Sequence, residues 1–406
     1  MQDTEIAVAP DFTSRVSVKL ATHEDAGFKR LVDILRKACR DYYATGKGTP
    51  FQIRWQDGEY HRFGEGVPAF SIIVRDKTAV SALASLDATT IFEAYMLNHL
   101  DFSGDMERMY SFRDMTSDNH PLRYLWSLLK PVLFGQTKMD RSGIAAHYDH
   151  SHEFYLTFMD SRHRCYSQGV FENDNESLED AVTRKLDFAL EQIGAKPGDR
   201  VLDIGGGWGA FNEYAGKRGI HVTSLTISKE SEKYLNDMIA REKLPTDVVN
   251  CHLYEYDPGF KYDALVNLGV TEHLPDYGKS LATYERLLKP GRKMYLDASA
   301  CREKYKFHSF IYRYIYPNNC SPMCLHDYMT QLSKTPFQLR GIWDDRWSYY
   351  LTTKHWAQNF DRNRDKLVAL EGEILIRQFQ LYMWGTADVF KKDVMQAYRW
   401  VLQLPE

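Results

Sequence analysis

The sequence has few of the features that mark secreted, membrane-spanning or nucleic-acid-binding proteins. Its six cysteines are irregularly spaced and form no C-x-x-C pair, which argues against a disulfide framework or a zinc site and indicates reduced thiols. No apolar run reaches the roughly 18 residues of a membrane span. The first residues are polar and lack the basic start and apolar run of a secretion signal. We therefore expect a cytoplasmic protein whose membrane contact, if any, is peripheral.

An excess of positive charge is also missing. Lys and Arg number 51 against 55 Asp and Glu, and the formal net charge of −4 argues against a general nucleic-acid binder. Internal repeats and low-complexity tracts are absent as well. Aromatic residues, in contrast, are plentiful, with 26 Tyr, 21 Phe and 8 Trp, enough for thick cores or for a large apolar pocket.

The 406 residues suggest two domains, divided into 1–125 and 126–406. The first reads as α+β, because FQIRWQDGEYHRF alternates around a turn at Asp57-Gly58 as a hairpin does, SIIVRD reads as a strand, and helical segments follow in TAVSALASL and IFEAYMLNHLDFSGDM. The second alternates strands with amphipathic helices, and its strands are RVLDI, HVTSLTI, YDALVNL and RKMYLDAS. Such alternation predicts a parallel sheet with right-handed crossovers.

The strongest local motif is VLDIGGGWGAF, residues 201–211. Glycines between a strand and a helix let the backbone turn tightly and approach a ligand closely. A phosphate loop would need Gly-Lys-Ser/Thr, which is absent. A dinucleotide fingerprint fits loosely, and an ordinary strand–turn–helix connection is also open. The acid Asp203 before the glycines is similar to the first motif of S-adenosylmethionine-dependent methyltransferases, in which the acid helps to organise the loop.

The expected sheet brings three strand ends together. Ligands of doubly wound sheets bind beyond the carboxyl ends of the strands, near the switch point. The ends of the first, second and fourth strands carry 205–209, 226–228 and 269–273. Thr226 and Ser228 offer hydroxyl groups there, although Ser228 is equally suited to cap the next helix.

A more specific resemblance covers most of the chain. The segment 145–172 resembles the one that precedes the nucleotide fold in cyclopropane fatty acid synthases, with the matches His147, Tyr148, Asp149, Ser151, Phe154, Tyr155, Tyr166, Ser167 and Phe171. LTISKE, YIYPNNCSP, SYYLTTKHW and FQLYMWGTADVF resemble later stretches of that family, the last its final strand and helix. FEAYMLNHLDFSGDM resembles the end of its N-terminal, lipid-engaging domain.

The resemblance implies a Rossmann-like class I methyltransferase fold, an α/β architecture with a seven-stranded sheet and a smaller N-terminal α+β domain. The family transfers the methyl group of S-adenosylmethionine to a double bond in a phospholipid acyl chain, giving a cyclopropane or a methyl-branched product. The residues expected to bind S-adenosylmethionine are Tyr166, Ser167, Asp203, Gly205, Gly207, Trp208, Thr226 and Ser228.

The chain keeps part of the family's catalytic pattern and departs from the rest. Typical members hold a bicarbonate ion as the base, and of its holders Glu272 and Tyr349 are kept. A cysteine of the pattern is Gln168 here, and a histidine is Asp297. If Glu272 and Asp297 end neighbouring strands, an anion such as bicarbonate is disfavoured between them. Our hypothesis is that Asp297, alone or with Glu272, replaces bicarbonate as the proton acceptor.

Two other functions stay open on the sequence alone. One is a methyltransferase for a small unsaturated metabolite or for an oxygen or nitrogen nucleophile. The other is a family member that binds lipid without catalysis. A peripheral membrane contact, a lipid acyl substrate and a homodimer are the expected partners, and no nucleic acid. We expect no metal site. His147, His150 and His152 lie close together in the sequence, but the family pattern already accounts for His147.

Overall fold

The computed structural model describes residues 26–118, 151–305, 308–316 and 320–406, without residues 45 and 47. Its N-terminal unit has a four-stranded sheet in the order β2-β1-β3-β4, formed by Phe51–Trp55 (β1), His61–Phe63 (β2), Phe70–Val74 (β3) and Leu100–Gly104 (β4). The helices of this unit are Ala26–Ala44 (α1), Lys77–Ser85 (α2), Ala88–Met96 (α3) and Met106–Met109 (α4), followed by a 3-10 turn at Tyr110–Met115.

The predicted hairpin is confirmed, since β1 and β2 pair antiparallel across the Asp57-Gly58 turn. One helical prediction is wrong at its end. The helix in IFEAYMLNHLDFSGDM stops at Met96, and Leu100–Gly104 pairs antiparallel with β3 as an edge strand. Asn98 causes the change, because its φ of 63° lies in the left-handed region that interrupts a helix.

The second sheet has the order β11-β12-β9-β8-β5-β6-β7. Its strands are Arg200–Ile204 (β5), His221–Thr226 (β6), Asp247–Asn250 (β7), Tyr262–Leu268 (β8), Leu288–Cys301 (β9), Gln338–Asp344 (β11) and Gln396–Gln403 (β12), and the two-residue strand Met323–Cys324 (β10) pairs with β9. β5 to β9 are parallel, whereas β12 runs antiparallel to both of its neighbours. The predicted Rossmann-like sheet is therefore confirmed, with β10 as a short eighth strand beside the seven that were expected.

Helices cover both faces of this sheet. They are His152–Leu156 (α5), Leu178–Ile193 (α6), Ala210–Gly216 (α7), Lys229–Glu242 (α8), Tyr277–Leu287 (α9), Leu325–Leu332 (α10), Arg346–Arg362 (α11), Arg364–Glu371 (α12) and Glu373–Lys391 (α13). Among the described residues, no helix is both long enough and apolar enough to cross a lipid bilayer.

Alternate residues of the strands build two cores, because successive strand side chains point to opposite faces. Val201, Val266 and Tyr295 join the core that α6 and the N-terminal unit share. Leu202, Leu265 and Met294 join the core on the other face. The N-terminal unit is thus packed into the same apolar core as one face of the large sheet.

Two further expectations need correction. FQLYMWGTADVF is helical throughout, within α13, and the last strand follows it at Gln396–Gln403. The strand Asp247–Asn250 was not predicted, because four half-exposed residues carry little apolar signal. The predicted division between 125 and 126 lies outside the described residues and stays a prediction.

Candidate active site

The glycine loop follows β5 at the carboxyl edge of the large sheet. Gly205 has a φ of 82°, and a Cβ atom there would lie 2.3 Å from Cγ2 of Val270. Its N–H and that of Gly206 both donate to the carbonyl oxygen of Leu225. Only glycine fits this position, because it alone adopts such a φ readily and leaves the room that a Cβ would fill.

This loop lines a cavity of about 140 Å³, here called the glycine-loop cavity. All eight residues predicted to bind S-adenosylmethionine lie in its wall, together with Cys165, Leu225, Ile227, Ser231, Cys251, His252, Leu253, Leu268, Gly269, Val270, His273 and Leu274 among others. The structure therefore brings the predicted set together, and its role in binding stays a prediction.

The polar side chains of the glycine-loop cavity are held by buried hydrogen bonds. Asp203 accepts a hydrogen bond of 2.7 Å from the hydroxyl group of Ser224, and burial raises its pKa to about 6. Ser228 caps α8 by accepting from the N–H of Ser231, so the capping role considered for it is confirmed. The hydroxyl group of Ser231 donates in turn to the carbonyl oxygen of Gly207.

Three residues of this wall were missed from the sequence. Cys251, His252 and Leu253 follow β7, the strand that was not predicted, and so end at the same edge of the sheet. His252 is buried, and its Nδ1 accepts from the N–H of Tyr254. A further parallel strand predicted between α8 and β8 would have indicated these residues. The carboxyl ends of parallel strands lie at the same edge of a sheet.

A second cavity of about 360 Å³, here called the aromatic cavity, adjoins the first. Tyr166, Gly269 and His273 line both cavities. Nine of the 26 residues in its wall are aromatic, namely Phe92, Tyr110, Tyr166, Phe310, Tyr316, Tyr349, Trp356, Tyr382 and Phe390. The predicted residue Tyr349 is thus in place, stacked on Phe390 with ring centroids 4.4 Å apart.

Glu272 is one of the residues in the wall of the aromatic cavity. Its Oε1 accepts from the N–H and the hydroxyl group of Ser299, at 2.7 and 2.8 Å. Its Oε2 has no hydrogen-bond partner within the described ranges. Burial raises the pKa of Glu272 to about 7, and the charge of Asp297 adds a small upward contribution. The acid is therefore partly protonated near neutral pH.

The neighbouring imidazole of His273 is neutral at that pH. Burial lowers its pKa to about 4. The ring lies edge-on to Tyr316, with centroids 5.8 Å apart. Because this buried imidazole is neutral, it does not attract an anion as a charged one would. His273 and Glu272 therefore differ in charge although they are adjacent in sequence.

Asp297 and Gln168 line neither cavity. The expectation that Asp297 ends its strand is wrong, because β9 continues to Cys301. Asp297 pairs in register with Leu268, so it lies two residues, or roughly 6–7 Å, deeper in the sheet than Ser299. The group that reaches Glu272 is Ser299, and the predicted catalytic roles of Asp297 and Gln168 are not supported by this placement.

Comparison with known proteins agrees with the geometry. Residues 135–400 match the family model of mycolic acid cyclopropane synthetase, and residues 42–117 match a domain of unknown function. Sphingolipid C9-methyltransferase B of Emericella nidulans is 25% identical over 349 residues, which cover 80% of this chain and 67% of that protein. Sphingolipid C9-methyltransferase of Candida albicans is 24% identical over 336 residues, covering 77% and 65%. The chain thus spans about two thirds of the length of these relatives.

Cyclopropane mycolic acid synthase 3 of Mycobacterium tuberculosis is 27% identical over 283 residues, which cover 64% of this chain and 96% of that protein. Among solved structures, mycolic acid cyclopropane synthase CmaA1 complexed with SAH and CTAB aligns with a TM-score of 0.60 and 25% identity, over 65% of this chain and 98% of that one.

The strand order and the glycine loop at the carboxyl edge define a class I S-adenosylmethionine-dependent methyltransferase. The residues present fit that cofactor, since the glycine loop and the other residues expected to bind it line one cavity at the carboxyl edge of the sheet. The chain belongs to the mycolic acid cyclopropane synthetase family, whose model covers about two thirds of it.

Proposed function

We propose that this enzyme methylates a carbon of a double bond in an unsaturated lipid or phospholipid acyl chain, giving a cyclopropane or a methyl-branched product. The observation that carries the proposal is the aromatic cavity, which meets the glycine-loop cavity at Tyr166, Gly269 and His273 and has Glu272 in its wall. An apolar wall suits an acyl chain better than a polar metabolite.

The names of the relatives support a lipid substrate. Those with the widest coverage of this chain are methyltransferases of sphingolipids, and others are synthases of cyclopropane mycolic acids. The two groups share lipid modification but differ in their substrates, so the names alone do not choose between a ring and a methyl branch.

The side chains of the aromatic cavity match the demands of this chemistry. Bound S-adenosylmethionine supplies an electrophilic methyl group. When the double bond of the substrate takes up that methyl group, a positive charge develops on the neighbouring carbon of the acyl chain. The faces of Tyr349 and Trp356 stabilise a cation that lies over them, and the apolar wall keeps water from trapping it.

Glu272 is the group we assign to the proton transfer that ends the reaction. Its Oε2 has no hydrogen-bond partner among the described residues, and a pKa of about 7 suits an acceptor at neutral pH. Loss of a proton from the new methyl group closes a cyclopropane ring, with a carbon–carbon bond replacing the carbon–hydrogen bond. Loss from an adjacent carbon of the chain instead leaves an alkene with a methyl branch.

A bicarbonate ion is not needed for this step, since Glu272 itself is the acceptor we assign. In the described structure both donors of Ser299, its N–H and its hydroxyl group, are already bonded to Glu272. The place where the family resemblance expects an imidazole holds the carboxylate of Asp297. We therefore route no step through bicarbonate.

The N-terminal unit contributes directly to the proposed acceptor site. Phe92, Tyr110, Arg113 and Asp118 line the aromatic cavity. This supports the prediction that residues 1–125 engage lipid, with a peripheral membrane contact as the route by which the substrate arrives. A homodimer stays a prediction.

The test is an assay of purified enzyme with S-adenosylmethionine and vesicles of an unsaturated phospholipid, with the saturated phospholipid as the matched control. Mass spectrometry should find a gain of one CH2 in the unsaturated acyl chains only. Loss of the alkene would identify a ring, and its retention a branch. Cofactor binding without any change in lipid mass would contradict the lipid proposal and favour a metabolite substrate or a non-catalytic role.

A further inference from the structure

Lys185 is a fully buried cation behind the glycine-loop cavity. It lies on α6 with no exposed side-chain surface. Its Nζ donates to Oγ of Ser167 at 2.5 Å and to Sγ of Cys165 at 3.0 Å, and it lies 3.5 Å from Oδ2 of Asp297. Burial alone would lower the pKa of Lys185, but the Asp297 carboxylate and Cys165 more than offset it, so the pKa is raised. Asp297 is therefore the counter-ion of a buried ammonium group.

A second buried ion pair lies beside the first. Nε of Arg399 is 2.6 Å from Oδ2 of Asp345, which also accepts from Nε2 of Gln168 at 3.3 Å. Arg399 on β12 and Asp297 on β9 are register partners, so the sheet places the two pairs next to each other. Two cations and two carboxylates thus balance in the core, where an unpaired charge would be costly.

Both ion pairs are hydrogen-bonded to one short segment, residues 165–168. Lys185 holds Ser167, and Asp345 holds Gln168. The same segment contains Tyr166, which lines both cavities, and Ser167, which lines the glycine-loop cavity. Two positions at which the sequence departs from the family resemblance, Gln168 and Asp297, are members of this network.

We propose that Lys185 and Asp297 are positioning residues, which hold Tyr166 and Ser167 at the junction of the two cavities. In this arrangement Asp297 is not the proton acceptor, because its carboxylate faces Lys185 and lines neither cavity. The inference concerns cofactor binding and does not depend on which acceptor the enzyme methylates.

The experiment separates positioning from simple stability with paired substitutions. Lys185→Met alone should lower the Tm strongly, because Asp297 is then buried without a partner. The double variant Lys185→Met/Asp297→Leu should recover most of the Tm, since apolar side chains of similar size often replace a buried pair without loss. Its Kd for S-adenosylmethionine, measured by calorimetry, should still be about tenfold weaker, because Ser167 has lost its donor.

Two matched variants complete the test. Ser167→Ala leaves the ion pair intact and should weaken the Kd by a similar factor. Lys289→Met removes a half-exposed lysine whose Nζ lies 2.8 Å from Asp263, away from both cavities, and should leave the Kd unchanged. A wild-type Kd for Ser167→Ala or for a folded double variant would overturn the proposal.

Asp297→Asn, with Lys185 kept, distinguishes the two roles of the acid. Positioning predicts a weaker Kd and a fall in kcat of less than about tenfold at saturating cofactor. A fall in kcat of about a hundredfold or more with an unchanged Kd would instead make Asp297 the proton acceptor.

Discussion

The two cavities of this methyltransferase are built in different ways. The glycine-loop cavity is lined by segments that follow four neighbouring parallel strands, β5 to β8, and by the segment 164–167. The aromatic cavity takes residues from Phe92 to Met395, including the N-terminal unit, the segment after β9 and the helices α11 and α13. The first follows from sheet topology, whereas the second needs the whole molecule to be packed.

The buried acids of the two cavities, Asp203 and Glu272, also differ in their hydrogen bonding. Burial raises the pKa of Asp203 to about 6 and that of Glu272 to about 7. Asp203 is held by Ser224 at the end of β5, beside the glycine loop, where we expect a fixed carboxylate to serve positioning. Glu272 keeps one oxygen without a partner among the described residues, which suits a group that exchanges a proton. Each substitution below should therefore affect the function of one cavity and leave that of the other unchanged.

The largest effect is expected for Glu272→Gln. Losing the proton acceptor should lower kcat by about 10²–10⁴-fold, while the Kd for S-adenosylmethionine stays unchanged. Steady-state kinetics and calorimetry measure the two quantities separately. Glu191→Gln, on the exposed side of α6, is the control and should change neither. An unchanged kcat for Glu272→Gln would remove Glu272 from the chemistry.

The next effect is a pH dependence of stability that Glu272 causes. Its pKa is raised from 4.5 to about 7 in the folded state, so the folded protein binds more protons than the unfolded chain between these values. The contribution of Glu272 to the free energy of unfolding should therefore fall by about 3 kcal/mol as the pH rises from 4.5 to 7, and stay level above it. His273, whose pKa is lowered to about 4, contributes a rise of opposite sign over nearly the same range.

Urea denaturation at pH 5 and at pH 8 gives the free energy of unfolding of the wild type and of the variant, and the change between the two pH values is compared. Asp203 contributes a fall of the same sign, so the quantity to compare is wild type minus Glu272→Gln. The variant should lose the share that belongs to Glu272. Equal pH dependence in both proteins would mean that Glu272 is not desolvated as described.

A smaller effect, confined to the glycine-loop cavity, is expected for Gly205→Ala. The left-handed φ costs an L-residue about 1–2 kcal/mol, and the added Cβ would meet Val270. The Kd for S-adenosylmethionine should weaken by about tenfold or more, with kcat at saturating cofactor largely kept. Gly207→Ala is the matched control, because its nearest neighbour lies 3.9 Å away, and its effect should be smaller.

The smallest effect should come from the N-terminal unit. Phe92 packs edge-on against Phe310, with ring centroids 5.5 Å apart, in the wall of the aromatic cavity. Phe92→Leu should raise KM for the lipid by roughly three- to tenfold, which corresponds to the interaction free energy of one aromatic pair. Cofactor binding should stay unchanged. An effect on the cofactor Kd instead would show that the two cavities are not separate.

Strand alternation predicted where the glycine loop and residues 226–228 lie, because they follow the ends of parallel strands. Tyr166 and Ser167 were expected at the glycine-loop cavity from the family resemblance. The eight residues expected there all line it. The pattern failed where local signal was weak. The half-exposed strand Asp247–Asn250 was missed, and with it Cys251 and His252.

The aromatic cavity was less predictable, because the sequence alone does not say which of its many aromatic residues share a wall. Glu272 and Tyr349 were found through family resemblance, whereas the contact of Ser299 with Glu272 was not. The depth of Asp297 within β9 also escaped prediction, since a strand's end depends on its pairing and not only on its own residues.

The sequence by itself determined the fold class and the cofactor loop, because glycines, strand ends and period-two burial act locally, and its family resemblance pointed to the acid that we assign to catalysis. Only the tertiary structure decided what Asp297 does. Its role depends on Lys185, more than a hundred residues earlier in the chain, and on Arg399 on the neighbouring antiparallel strand. Burial makes that assignment, because a carboxylate out of water pairs with whichever cation the fold brings to it.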